Sequence, residues 1–154
     1  MDVVDLQILT ILQEDGRTSN AEIARRVGMA PSAVFERIRK LEERGVIDGY
    51  TARLRPEALD RRLTAFIFVR TDDRIGSNDT ALRLTEIPEI QEVHHVAGED
   101  CYLVKVRVAD PGALARLIRE RLGQLSGIVS TRTTVVLETL KETTSLPIPE
   151  HDLE

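Results

Sequence analysis

Between Ser19 and Tyr50 the chain reads SNAEIARRVGMAPSAVFERIRKLEERGVIDGY, and the spacing of its apolar residues leaves little choice of local structure. Ser19 lies three residues before Glu22, the pattern of a capping box that starts a helix. Ile23 and Val27, four apart, face inward, and Gly28 stops the helix. Pro31 suits the first position of the next helix. Val34, Ile38 and Leu41 then recur at spacings of four and three, which puts them on one face. Gly45 ends this helix, Val46 and Ile47 plug the base, and Asp48-Gly49 is a turn signal that fits a small wing. An earlier helix is marked by Val4, Ile8, Ile11 and Leu12, with Leu9 alongside, and Asp15-Gly16 ends it. Three helices with a glycine turn before the last are the layout of a helix-turn-helix, whose final helix enters the major groove of DNA.

Charge does not announce such a role. The whole chain carries a net charge of −5. Within the first fifty residues, Arg17, Arg25, Arg26, Arg37, Arg39, Lys40 and Arg44 are outnumbered by nine acids. Placement therefore has to do what net charge does not. At about 100° per residue, the outward face of the third helix carries Ser32, Glu36, Arg39 and Glu43, with Lys40 to one side. The candidate DNA contacts are thus Ser32, Ala33, Glu36, Arg39 and Lys40, with Arg37 nearer the core face and Arg25 and Arg26 on the second helix. The competing reading is a plain three-helix bundle with a solvated charged face.

After Tyr50 the run TARLRPEALDRR is polar and interrupted by proline, as in a linker. Leu63–Arg70 is a strand rich in Phe, Ile and Val. Asp72–Asn78 is a polar loop containing Gly76. Asp79–Glu86 is a short helix expected to turn Ala81, Leu82 and Leu84 inward. Ile90–Val96 and Cys101–Val108 are strands joined by a turn at Gly98-Glu99-Asp100, with Tyr102, Val104, Val106 and Val108 alternating against Leu103, Lys105 and Arg107. Asp110-Pro111 starts a helix with Leu114, Leu117, Ile118, Leu122 and Leu125 at helical spacing, and Ile128–Leu137 is a fourth strand. The order β-α-β-β-α-β is the ferredoxin-like arrangement. It packs both helices on one sheet face and leaves apolar residues on the other uncovered, the mark of an interface. The fold class is α+β: an N-terminal winged helix-turn-helix over 1–50, a linker over 51–62, a ferredoxin-like domain over 63–142 and a tail over 143–154.

The head resembles the leucine-responsive and asparagine-responsive regulators, the Lrp/AsnC or feast/famine family. The matching residues are Asp5, Ile8-Leu9, Gly16-Arg17, Glu22-Ile23-Ala24, Gly28-Met29, Val34, Arg37, Leu41-Glu42, Gly45-Val46-Ile47 and Tyr50. The second half resembles the family's effector-sensing domain at Gly98, at Tyr102-Leu103-Val104-Lys105-Val106, at Gly127 and from Thr131 to Val136. The resemblance implies a DNA-binding transcriptional regulator on a pseudo-palindromic operator, not an enzyme. It implies homodimers that assemble into tetramers or octamers, and no cofactor beyond a small amino-acid effector held between dimers. The effector residues it implies are Gly98, Glu99, Asp100, Cys101, Tyr102, Thr131 and Thr133.

Three positions depart from the family's pattern. Ala30 stands where a serine usually caps the third helix, a loss of about 0.5–2 kcal/mol. Asp60 stands where glycine is usual, and aspartate tolerates the left-handed conformation better than most residues. Cys101 stands where the family's turn carries an aspartate, with Asp100 one residue earlier. A shift of one residue turns a side chain to the other face of a strand, so the ammonium-binding role passes to Asp100 or Glu99, or is lost.

Other chemistry is weaker. Cys101 with His94 and His95 invites a nucleophile or a metal site, but metal-spacing motifs such as CxxC are absent. A cysteine at a strand start is more often a small buried hydrophobe. A single cysteine fits a reducing compartment. No apolar run approaches the ~20 residues of a membrane span, and MDVVDLQ carries acids where a signal peptide carries positive charge. A cytoplasmic protein is expected. The tail, with Pro147 and Pro149, is expected to add a strand near Leu146 at a partner's edge, with its last residues mobile.

Overall fold

A computed structural model describes residues 1–74 and 77–149. Gly76 of the polar loop and the last residues of the tail, 150–154, lie outside them. The chain forms two compact units, one of Met1–Arg53 with the residues from Glu142 onward, the other of Leu54–Lys141.

The head unit holds α1 (Val3–Glu14), α2 (Asn20–Val27) and α3 (Pro31–Glu43). Ile8, Ile11, Ile23, Ala24, Val34 and Ile38 form its core, one buried stripe from each helix. Gly28 ends α2 at φ 70°, a left-handed position where glycine carries no steric penalty. The turn this allows sets α3 against α2. The full capping box is not where the sequence suggested. Ser19 does accept from the Glu22 N–H at 3.2 Å, but Glu22 does not return the bond, because Arg25 and Arg26 hold its carboxylate. The complete box is at α1, where Asp2 accepts from the Asp5 N–H and Asp5 accepts from the Asp2 N–H. Ala30 caps α3 with no side-chain hydrogen bond.

The tail joins the head. The Gln13 side chain on α1 receives the Leu146 N–H at 2.7 Å and donates to the Leu146 carbonyl at 3.0 Å. A side-chain amide thus stands in for a neighbouring strand, so the segment is held without strand pairing.

The second unit holds β1 (Leu63–Thr71), α4 (Asp79–Thr85), β2 (Ile90–His95), β3 (Tyr102–Val108), α5 (Pro111–Arg116) and β4 (Ile128–Val135). The antiparallel sheet has the order β2-β3-β1-β4. A π turn over Leu117–Arg121 and a 3-10 turn over Leu122–Gln124 extend α5. Ala65, Ile67, Val69, Tyr102, Val104, Val106 and Val108 meet Leu84 of α4 and Leu114, Leu117 and Leu122 of α5 in one core. Before β1, Asp60 takes φ 52° after a 3-10 turn over Pro56–Leu59, the left-handed position that favours glycine.

One inward assignment and one outward face differ from expectation. Leu82 is exposed, and Thr80 is fully buried in its place, one turn before Leu84. Burial of the Thr80 hydroxyl is tolerated because it donates to Asp73 at 2.8 Å. The uncovered sheet face is also less apolar than expected. Phe66, Phe68 and Leu103 share it with Lys105 and Arg132, their neighbours in register, and with Glu92 and His94.

Candidate DNA interface and effector turn

The third helix presents its candidates as the 100° spacing requires. Ser32, Glu36, Arg39 and Lys40 are exposed, while Ala33 and Arg37 are half-buried. Their electrostatics were not legible in advance. Arg39 lies between Glu36, at 2.8 Å, and Glu43 on its own helix. Arg25 and Arg26 of α2 share the Glu22 carboxylate at 2.7 and 2.9 Å. Those bonds, Arg25's first, pull the Glu22 carboxyl down to about 2. The arginines of the candidate surface therefore arrive with acidic partners already in place, while Lys40 has none among the described residues.

Arg37 has a different setting. Its Nη1 bridges Asp2 at 2.7 Å and Asp5 at 2.6 Å, the two residues of the α1 capping box. It ties α3 to the start of α1, beside a cleft of about 340 Å³ that Lys40 and Arg44 also line. Sequence reasoning missed Phe35, an aromatic 53% exposed on α3. The signal was available: at 100° per residue it falls outside the Val34-Ile38-Leu41 face. An apolar group at that place can meet a thymine methyl. The turn at Gly49 carries no strand pairing. Tyr50 closes the head instead, its hydroxyl donating to Glu42 at 3.0 Å, and burial together with that carboxylate pushes it up to about 12.

In the second unit the effector candidates divide. The turn 97–100 is closed by the Val96 N–H donating to the Cys101 carbonyl at 3.0 Å. Gly98 takes φ 141°, with open space where a Cβ would point. Tyr102 is buried on the helix side, its hydroxyl 3.4 Å from Asn78 Oδ1. Thr131 and Thr133 face the same side from β4, paired with Val69 and Ile67. Since β1 lies between β3 and β4, these threonines sit two strand spacings, about 10 Å, from Tyr102. Asp100 goes to the other side. It accepts from Arg132 at 2.9 Å, and that guanidinium lies 4.0 Å from the centre of the Phe68 ring. One long arginine thus bridges from β4 over β1 to the turn. Glu99 is exposed, with no partner among the described residues.

Cys101 is half-buried, its thiol 3.8 Å from the Thr71 carbonyl. His94 pairs with Glu92, and the His95 ring lies 5.2 Å from that of Tyr102. Both histidines are exposed. Among the described residues no group of three His, Cys, Asp or Glu side chains is placed to hold a metal ion, and no helix is long and apolar enough to cross a membrane.

Comparison with known proteins adds to this geometry. Residues 1–48 match the winged helix-turn-helix DNA-binding family model, and residues 64–146 match the Lrp/AsnC ligand binding domain. The chain is 43% identical over 152 residues to the leucine-responsive regulatory protein of Escherichia coli K12, covering 96% of this chain and 92% of that protein. The fold is similar to a transcriptional regulator of Neisseria meningitidis solved as a complex with L-Met, with a TM-score of 0.90 and 33% identity over 96% of each chain. It is also similar to a feast or famine regulatory protein of M. tuberculosis complexed with L-methionine, with a TM-score of 0.87 and 37% identity, covering 96% of this chain and 99% of that one.

Proposed function

Since the chain belongs to the Lrp/AsnC family of DNA-binding transcriptional regulators, we propose that it works in the cytoplasm as an assembly of dimers on a pseudo-palindromic operator, under the control of a small amino acid. That it regulates transcription, and is not an enzyme, follows from the family. The operator, the assembly and the effector are the proposal.

The observation that carries it is the exposed outer face of α3, where Ser32, Phe35, Glu36, Arg39 and Lys40 lie together above a fully buried Val34. In this reading Arg39 and Lys40 contact phosphates or base edges, Ser32 and Ala33 approach the groove near the helix start, and Arg25 and Arg26 hold the backbone from α2. Arg37 keeps the head in shape through Asp2 and Asp5. Dimerisation through Phe66, Phe68 and Leu103 would present two heads to two half-sites, and pairs of dimers give tetramers or octamers.

The effector reading draws on the two relatives solved with L-methionine. The backbone around Gly98 suits a carboxylate. Glu99 is the turn's uncommitted acid for an ammonium, because Asp100 is held by Arg132. With Thr131 and Thr133 two strands away, a second dimer has to complete the site. Ligand and DNA then compete for, or share, one arrangement of heads, and the coupling is reciprocal.

A gel shift on the upstream region of the chain's own gene, at two salt concentrations and with or without L-methionine, tests this. Specific binding that weakens steeply with salt supports the operator reading. Absence of binding at low salt, with and without the amino acid, sinks it.

A further inference from the structure

A second charged cleft lies away from the Gly98 turn, at the far end of β3. Its volume is about 330 Å³, and Arg61, Glu89, Arg116, Leu117 and Arg121 are among the residues that line it. Two features set it apart. First, Glu89 Oε2 is the buried side-chain oxygen or nitrogen left without a hydrogen-bond partner among the described residues. Buried carboxylate oxygens are normally satisfied, and an orphan needs a physical reason. Second, Arg116 and Arg121 have no acidic partner among the described residues, and Arg61 bonds only the Asp60 carbonyl. The cleft's other acid, Glu120, is occupied by Arg119 at 3.1 Å. The cleft therefore offers one half-buried carboxylate with an unpartnered buried oxygen and three guanidiniums with no acidic partner among the described residues.

Simple ions fit poorly. An inorganic anion would meet the arginines but also the Glu89 charge. A cation would satisfy Glu89 and be repelled by three arginines. A ligand carrying both charges satisfies both sets, its ammonium on Glu89 and its carboxylates on the guanidiniums, which bind such groups through two parallel bonds. Three arginines against one carboxylate favour a ligand with more negative than positive groups. The volume lies at the small end of ligand pockets, about 300 Å³ and upward, and Leu117 gives it a short apolar wall.

We propose that this cleft binds an acidic α-amino acid, with Glu89 receiving the ammonium and Arg61, Arg116 and Arg121 receiving the two carboxylates. The inference is independent of the Gly98 turn, since it shares no residue with it.

Calorimetric titration of the full chain with L-glutamate tests it, alongside glutarate, which lacks the ammonium, and 4-aminobutyrate, which lacks the α-carboxylate. Saturable binding of L-glutamate is expected, with both analogues weaker. Glu89→Gln and Arg121→Gln should each weaken it about tenfold or more, as expected for losing one charged partner. Arg116→Gln, a change at an exposed side chain, provides a third variant that should fold regardless. Saturating L-methionine should leave L-glutamate binding unchanged, which separates this cleft from the effector turn. No heat at about 10 mM L-glutamate, well above millimolar affinity, overturns the proposal. So does binding that survives both Glu89→Gln and Arg116→Gln, or that saturating L-methionine abolishes. A Glu89→Gln chain that melts much lower, with no wild-type binding, shows the carboxylate to be structural and overturns it too.

Discussion

Two sets of arginines, one in each unit, are held in opposite ways. In the head, Arg25, Arg26, Arg37 and Arg39 each lie against a carboxylate, mostly three or four residues away on the same helix. In the sheet domain Arg119 and Arg132 are paired in the same way, but Arg61, Arg116 and Arg121, which line one cleft, have no acidic partner among the described residues. On the proposed function, the surface that would meet the polyanion is the one whose cations are neutralised internally. DNA phosphates would have to displace Glu22, Glu36 and Glu43 to reach those arginines. That would lower the affinity of each head for arbitrary DNA and leave strength to several heads of the proposed assembly acting together. Such intrahelical pairs contribute little to stability, so they are cheap to give up at the groove.

The largest effect should come from removing the scaffold that holds the head's pairs in place. Val34→Asp puts a carboxylate at a fully buried position, a cost of roughly 3–5 kcal/mol for an uncompensated buried charge. Differential scanning calorimetry should show the head's transition lost and that of the sheet domain kept. Loss of both would mean the two units do not hold their cores separately. Next in size, Arg39→Ala should weaken operator binding about tenfold while its melting temperature hardly moves. Glu43→Gln should do the reverse and strengthen binding several-fold by removing one of the two carboxylates that hold the same guanidinium, as read by fluorescence anisotropy. If Glu43→Gln also weakens binding, the pair serves to aim Arg39 rather than to hold it back.

Much of this arrangement was legible in the sequence, for identifiable reasons. Spacings of three and four placed Val34, Ile38 and Leu41 in the core, and strict alternation did the same for Tyr102, Val104, Val106 and Val108. Both periods are set by backbone geometry. What periodicity does not encode is which partner a polar side chain takes. Glu22 was expected to cap its own helix, yet two arginines outbid the single backbone N–H. Thr80 could not be told from a surface threonine until Asp73 was seen beside it. Counting by twos would put Asp100 on the face of Tyr102, yet it lies in the turn before β3 and turns to Arg132, 32 residues away on another strand.

A smaller gain is expected at the start of α3. Ala30 leaves that terminus without a side-chain cap, and Ala30→Ser should add about 1 kcal/mol of head stability, measured by urea denaturation. The comparison is sharpened if operator affinity rises too, because a serine at a helix N-terminus also donates to phosphate.

The smallest effect is a pH dependence, and it isolates one pair. Bonds from Arg25 and then Arg26 hold the Glu22 carboxyl at about 2 in the folded chain, below the ~4.3 of an unfolded glutamate. The unfolded chain therefore binds a proton first as pH falls. The contribution of Glu22 is fully present above about pH 4.3 and drains away as pH drops through the range down to about 2. Both arginines stay charged throughout. Because the group is exposed, the shift in melting temperature should be slight. It should nonetheless vanish in Glu22→Gln, whose melting temperature should fall less between pH 4.5 and pH 2 than that of the wild type. If the two curves run parallel, the arginines of α2 are not held by Glu22 in solution, and the contrast between the two units rests on α3 and Arg37 alone.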